Sequence, residues 1–546
     1  MNILDLPAEL LLRIVYHINS IQEKCQLRQT CTQLNTLLSS HPTCWSHLDL
    51  SPFYNINNTA LLTFLKNCGI ALASSDDSVP NTVTTLDISG CKHLSENMLV
   101  ALCKTFTGLT ELGISGFQLS KEPEYIKGQQ SKVFEQLRDH VYQVQPSHGL
   151  SSMTMDLSKK STQQLRIPFV LLSSMLKELP NLKSISMQYQ ELIPLPLLMD
   201  QRPFSCLAGI QHIDISSCRV TQPSLQMLLR NIGPHLITLK MLNIHVSHLT
   251  ALCLQHHCKQ LECLHLSCND QGLLHAINHA LSNLKKLKDF RMTRTWFGSV
   301  DSVVDQLNID ILEKLDLSPK MNIYAKTVPT TKTPAAQIKL AQHMNNNAIT
   351  STNKHPIKTS VLPAAIDYAT IEHYLHFTDQ SLHRLSQCQH LTELRLCFPM
   401  ISAKALLHFC QSEAASSCLQ VFELRLKSEQ GDEENPDYSL GIPYLVNLRE
   451  LFLYSVNLPT NTILSITSNL KKLKYLTISD GGEPIQRHDL QTALLRDLPL
   501  LRILRLGKLN KPLSWPETLV GLDHNQQQQS NFIFTKSYHQ NKWHVQ

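Results

Sequence analysis

Glycine is scarce in this 546-residue chain, at 17 residues. No apolar run approaches the roughly 18 residues that a membrane-spanning helix needs. The first lack weakens nucleotide-binding folds, which use glycine for tight turns at phosphates. The second argues against a membrane partner. The opening stretch MNILDLPAELLLRIVYHINS carries Asp5 and Glu9 early and has neither a basic start nor a small-residue cleavage site, so it is not read as a signal peptide. The expectation is an intracellular protein, cytoplasmic and/or nuclear. Catalytic signatures are missing as well: there is no G-x-S-x-G, phosphate loop, kinase signature or zinc-protease pair. We therefore expect no enzyme activity, no catalytic residue, no cofactor and no metal. Charged residues make up 17% of the chain, and the net charge is a mild +5 without a basic stripe. Nucleic acid is not an expected partner.

Hydrophobic residues are plentiful at 42%, enough for a packed core. Sixteen cysteines in a chain without a signal peptide read as reduced, mostly buried thiols. Their placement agrees: Cys91, Cys218 and Cys268 each follow an LxIS-like or LxLS segment. The stretch His256, His257, Cys258, Cys263, His265 and Cys268 holds ligand-type residues. The repeat pattern described next already accounts for them, with His265 pointing out of a strand and Cys268 in the loop after it.

Self-similarity dominates what is present. The unit L-x-x-L-x-L, with other aliphatics or Phe in place of some Leu, recurs along the chain. Its middle apolar residue falls at Ile213, Leu239, Leu264, Phe290 and Leu315, in steps of 26, 25, 26 and 25 residues. Earlier copies are VTTLDI (Val83–Ile88), LTELGI (Leu109–Ile114) and LKSISM (Leu182–Met187). Later ones are LTELRL (Leu391–Leu396), LQVFEL (Leu419–Leu424), LRELFL (Leu448–Leu453), LKYLTI (Leu473–Ile478) and LRILRL (Leu501–Leu506). The L-x-L pair alternates with period two, as in a short strand with one buried face. Between strands lie helical patterns such as Ser224–Ile232 and Leu273–Leu281. Such units bury their apolar sides only by stacking. The expected fold is α/β: a solenoid bent into a horseshoe, with a parallel concave sheet and convex helices. These units resemble the cysteine-containing subtype of leucine-rich repeats, best at LDISGCKHLSENML (Leu86–Leu99), where Cys91 would sit inside the turn after the strand.

Two interruptions break the array. Gln118–Leu165 is one, with a degenerate repeat near Met153–Ser158. Pro319–Ala365 is the other; it is rich in Thr, Asn, Lys, Ala and Pro, lacks periodicity and reads as a disordered insertion. The expected organisation is a module over 1–50 and N-terminal repeats over 51–318, with an insertion at about 118–165. The disordered insertion follows over 319–365, then C-terminal repeats over 366–520 and a tail over 521–546.

The N-terminal module predicts three short helical elements. Pro7 opens the first, which carries an apolar stripe at Leu10, Leu11, Ile14, Val15 and Ile18. Leu27, Cys31, Leu34 and Leu38 share one face of the second. Trp45 and Leu48 lie in the third. A core this small is marginal alone. Cys25, Cys31 and Cys44 have no activating neighbour in the pattern and are read as buried, not as reactive nucleophiles.

The run LPAELLLRI, then the Cys31-centred helix, HPTCW and LDL, resembles an F-box over roughly residues 2–50. The family often has Val-Cys and a following Trp in the second helix; here Thr30 precedes Cys31 and Leu34 takes the later apolar position. The resemblance implies an SCF-type (Skp–cullin–F-box) ubiquitin ligase subunit in ubiquitin-dependent degradation. The F-box would bind the Skp-type adaptor, and through it a cullin and a RING subunit, while the repeats bind a protein substrate. By resemblance, Leu6, Pro7, Leu10, Ile14, Leu27, Cys31 and Leu34 make or support the adaptor contact. The alternative is a repeat scaffold unconnected to a ligase. On the expected concave face, early repeats present small or acidic residues, whereas later ones present Arg291, Arg395, Arg425, Phe452, Tyr454, Tyr475 and Arg505. Arginine and aromatics are typical binding anchors, so these are the expected substrate contacts, suited to an acidic or phosphorylated segment. The rival reading pairs the arginines with neighbours such as Glu393, Glu423 and Glu450.

Overall fold

The structure, a computed structural model, describes residues 6–18, 20–70, 82–118, 167, 169–192, 205–268, 271–294, 300–317, 375–397, 399–426, 437–479, 493–494, 496–507, 531–536 and 543–545. The 319–365 insertion, nearly all of the 118–165 segment and the Met153–Ser158 repeat lie outside these residues. The chain divides into two compact units. One holds Met1–Met292, Ser302–Leu315 and Cys388–His390; the other holds Thr293–Asp301, Asp316–Gln387 and Leu391–Gln546.

The first unit opens with α1 (Ala8–Tyr16), α2 (Ile21–Thr30) and α3 (Thr32–Ser40). Pro7 precedes α1 as its cap, with φ −51°, and its carbonyl accepts from the N–H groups of Leu10 and Leu11. Here the structure corrects the sequence reading. The expected second helix is two, because Cys31 is fully extended at φ −159° and ψ 161°. Cys31 is therefore not buried on a helical stripe. It is half-buried, and its Sγ accepts from the Leu34 N–H at 3.4 Å, capping α3 as a serine would. Leu11, Leu34 and Leu37 form the small core, with Leu6, Leu12, Leu27 and Cys31 packed around it.

Trp45 joins this module to the repeats. It is fully buried, its indole N–H donates to the Leu38 carbonyl at 2.9 Å, and it meets the Phe64 ring edge-on at 5.6 Å. Directly after it comes β1 (His47–Asp49), which pairs in parallel with β2 (Thr85–Asp87). The LDL run is thus the first rung of the repeat sheet rather than the end of a separate domain.

The sheet of the first unit continues in chain order. β3 is Glu111–Gly113, β4 Ser184–Ser186, β5 His212–Asp214, β6 Thr238–Met241, β7 Cys263–Cys268, β8 Asp289–Arg294 and β9 Lys314–Asp316; of the last two, the residues through Met292 and through Leu315 belong to this unit. The register aligns one apolar column: Leu48, Leu86, Leu112, Ile185, Ile213, Leu239 and Leu264 stand opposite one another, strand to strand. All are buried. The fold is a leucine-rich-repeat solenoid, as the periodicity predicted. Its strands are short and parallel, and a helix packs behind most of them.

Local chemistry repeats with the ladder. Asn57, Ser95, Thr221 and Ser247 each cap a helix by accepting from the N–H three residues on, worth about 1 kcal/mol apiece. Four residues after the column residue the backbone turns left-handed. Gly90 and Gly116 meet this need without strain, whereas Tyr189, Ser217 and Asn243 adopt it as non-glycines. Cys91 and Cys218 follow as expected, buried in the turn, with thiols aimed at the carbonyls of Leu50 and Met187. Cys268 differs from expectation: it ends β7 instead of lying in the following loop. Where the chain leaves at Phe117 and returns at Ile167, the buried Gln190 spans the opening. Its amide N–H₂ donates to the carbonyls of Ile114 and Phe117, and its carbonyl accepts from the Ile167 N–H.

In the second unit, β10 (Leu375–Thr378) pairs with β12 (Pro399–Met400). The main ladder runs through β11 (Glu393–Cys397), β13 (Val421–Arg425), β14 (Glu450–Tyr454), β15 (Tyr475–Ser479) and β16 (Ile503–Gly507). Its column is Leu394, Phe422, Leu451, Leu476 and Leu504, all buried. The segment read as a tail carries two more strands: β17 (Asn531–Lys536) pairs antiparallel with β16, and β18 (Trp543–Val545) pairs antiparallel with β17. The run NFIFTK is rich in strand-forming residues, a signal the glutamine run before it obscured.

Burial pushes the thiols of Cys68, Cys91, Cys103 and Cys258 up to about 12 from 9.0. Below pH 9 folded and unfolded thiols are both protonated, so this contribution is fully present. Above it the unfolded chain loses protons that the folded chain keeps, and stability falls as pH rises toward 12. Urea midpoints should drop between about pH 8 and about pH 10.5. A Cys103→Ala/Cys258→Ala variant should be less stable throughout, because of cavities, but should lose less over that interval. An equal loss in parent and variant would contradict the assignment.

Candidate functional site

Two surfaces carry the candidate residues. The first is the outer side of α1. Helical spacing sends Leu11 and Val15 inward, at 2% exposure each, and leaves Leu10 at 44% and Ile14 at 42%. Pro7 is also exposed. Of the seven predicted adaptor contacts, Pro7, Leu10 and Ile14 are thus presented to solvent. Leu6, Leu27 and Cys31 are half-buried against the small core, and Leu34 lies within it. Leu34 supports the surface and does not form it.

Lys24 was not foreseen. It is fully buried in α2, donates through Nζ to the Cys44 carbonyl at 2.5 Å, and lies 5.8 Å from the Trp45 ring centre. Burial holds its ammonium below the ordinary lysine range. Next to it Arg28 donates to Asn35 and Ser39, tying α2 to α3. These contacts fix the module in which α1 sits. The only sequence signal is a lysine on the inner face of a weakly apolar helix.

The second surface is the side of the second unit's sheet that faces away from the apolar column. Register places its residues in rows. One row is Glu393, Val421, Glu450 and Tyr475; the next is Arg395, Glu423, Phe452, Thr477 and Arg505; the third begins Cys397, Arg425 and Tyr454. Arg395 bonds Glu393 at 2.5 Å and Glu423 at 3.0 Å, and Arg425 lies 3.6 Å from Glu423. The guanidinium of Arg425 stacks 3.9 Å from the Tyr454 ring centre, and that of Arg395 lies 5.5 Å from Phe452. Burial works against the Arg395 cation, yet Glu393 and Glu423 hold it more firmly charged than a free guanidinium. Burial also raises Tyr454, so its hydroxyl stays protonated.

The structure therefore brings Arg395, Arg425, Phe452 and Tyr454 into one cluster, and both arginines pair with Glu423, Arg395 by a hydrogen bond and Arg425 by a longer ion pair. The pairing with Glu393 and Glu423 that competed with a purely ligand-directed reading is present. Tyr475 lies opposite Glu450 one strand on, and Arg505 is exposed. Arg291, half-buried on β8, belongs to the first unit and is not part of this cluster.

No family model matches the chain, and no curated protein matches it. Solved structures do. The crystal structure of Rad7 and Elc1 in complex, from yeast, aligns over 91% of this chain and 87% of that one, at 14% identity and a TM-score of 0.41. A leucine-rich-repeat protein of Leptospira interrogans covers 86% of this chain and 97% of its own, at 14% identity and 0.35. An internalin of Listeria monocytogenes covers 77% and 79%, at 12% and 0.33. Similarity at this level says nothing about ligands. Among the described residues no helix is long and apolar enough to cross a membrane.

Glu423 serves two cations, so its loss should cost more than that of a single partner. Glu423→Ala should lower unfolding free energy by about 2 kcal/mol, and Glu393→Ala by clearly less, both read from urea unfolding. Equal, negligible effects would show that the pairs are solvent-screened and hold nothing.

Proposed function

We propose that this chain is the substrate-recognition subunit of an SCF-type ubiquitin ligase and has no catalysis of its own. The observation that carries the reading is the outer side of α1. Pro7, Leu10 and Ile14 stand exposed on a helix whose other side is already packed. They belong to the LPAELLLRI run that resembles the F-box. An apolar helix surface of this kind exposes area that a partner would remove from water. In this reading the Skp-type adaptor covers it, and the adaptor brings the cullin and RING subunits. The receptor's part in ubiquitination is proximity, holding a substrate where transfer occurs.

The substrate is proposed to lie on the sheet rows of the second unit. Phe452, Tyr454 and Tyr475 offer aromatic anchors, and Arg505 an exposed cation. Because Glu423 and Glu393 already engage Arg395 and Arg425, an acidic or phosphorylated segment would bind there by displacing those carboxylates. That competition favours a ligand richer in charge than a single carboxylate.

A Leu10→Glu/Ile14→Glu variant should bind purified Skp-type adaptor at least about 100-fold more weakly, since buried interface anchors are worth about 2 kcal/mol or more each. Both positions are exposed, so the melting temperature should stay close to the parent's. Calorimetric titration reads the first effect, and thermal unfolding the second. Unchanged affinity in a folded variant would favour a repeat scaffold unconnected to a ligase.

A further inference from the structure

In the first unit, the outward side of β7 and β8 holds a cluster that the ligase reading does not use. Cys263 and His265 lie two residues apart on β7 and therefore share a face. The Asp289 N–H donates to the Glu262 carbonyl at 2.9 Å, which seats Asp289 on β8 beside Cys263. His265 Nε2 is 3.0 Å from Asp289 Oδ1 and 3.5 Å from Cys263 Sγ. All three donor atoms lie within 4.8 Å of one another. The residues are half-buried, with His265 at 13% and Asp289 at 27% side-chain exposure.

We propose that Cys263, His265 and Asp289 form a binding site for a borderline-soft divalent metal ion of the zinc class. A tetrahedral zinc ion has bonds of about 2.0 Å to nitrogen and oxygen and about 2.3 Å to sulfur, which separates its donors by roughly 3.3 to 3.6 Å. The Cys263–His265 distance already falls in that range, and the His265–Asp289 pair needs to open by only about 0.3 Å. One sulfur, one imidazole and one carboxylate select zinc-like ions over magnesium or calcium, which take all-oxygen shells. Three protein donors leave the fourth position to water.

The electrostatics are consistent with a site that is filled by exchange for a proton. Burial, with Asp289 beside it, pushes the Cys263 thiol up to about 12. The free site therefore holds a neutral thiol at neutral pH. A bound cation would displace that proton, leaving thiolate, neutral imidazole and carboxylate around it. Burial opposes ionisation of Asp289, but its hydrogen bond with His265 holds it below the ordinary range, so the carboxylate is ready to ligate. Lys240 and Lys314 lie near the thiol and temper the negative charge of the donor set. Sequence spacing alone missed this grouping because Asp289 comes from the next repeat.

The test is a Co²⁺ titration of the metal-stripped full chain under a non-thiol reductant. The parent should bind one equivalent with a thiolate-to-cobalt charge-transfer band, and Zn²⁺ should abolish that band. Cys263→Ser should lose the band and bind at least about 100-fold more weakly, and Asp289→Asn at least about 10-fold. Cys206→Ser, which alters a half-buried thiol elsewhere, should match the parent. Circular dichroism and melting establish that each variant is folded; if Cys263→Ser is not, Asp289→Asn decides. A parent without the band, a band undiminished in Cys263→Ser, or unchanged affinity in Asp289→Asn would overturn the site.

Discussion

Each unit depends on one constraint: a strand of three to six residues buries its apolar side only if its neighbours are in register. The ladder through Leu86, Leu112 and Ile185, and that through Phe422, Leu451 and Leu476, meet this condition. Everything else follows from the need to return the chain to the same point about every 25 residues. The helices fill the return path, polar residues cap them, and the left-handed turn at Gly90, Gly116, Ser217 and Asn243 starts it. The N-terminal module obeys the same rule. Trp45 is locked by Leu38 and Phe64 immediately before β1, so the module packs directly onto the first rungs.

This constraint also divides the surface by task. Column residues are committed to stacking and cannot vary without leaving cavities. The alternate strand residues, freed from packing, carry the chemistry: the Arg395–Glu423–Arg425 cluster in one unit and Cys263–His265–Asp289 in the other. Helix α1 is the exception, since its outer residues Pro7, Leu10 and Ile14 are apolar although nothing in the chain's described residues requires them to be. That excess is what favours a partner at this end, and it is why the ligase reading rests on α1 rather than on the repeats.

The fold was largely legible. Period-two alternation in the L-x-x-L-x-L unit identified every column residue from Leu86 to Leu504, and the small thiols of Cys91 and Cys218 marked the turns. What escaped depended on contacts between segments far apart in sequence or on local backbone competition. Leucine spacing across Leu27, Leu34 and Leu38 suggested one helix, but it carried no sign that Cys31 would leave helical geometry and cap the next one. Lys24 went unremarked in the sequence, because nothing local announces a cation enclosed by Trp45 and the Cys44 carbonyl. The arginines were found by strand alternation. Their sharing of Glu423 became visible only with the register between β11 and β13. Asp289 likewise joined Cys263 and His265 only once adjacent repeats were laid side by side.

The central claim is that the outer side of α1 is an adaptor-binding surface. Hydrogen exchange of the full chain, measured with and without saturating Skp-type adaptor, tests it most directly. The account predicts added protection over α1 and its neighbours, within residues 6–40, and little change in the column strands. Protection confined to the strands, or none in α1 at saturation, would contradict it.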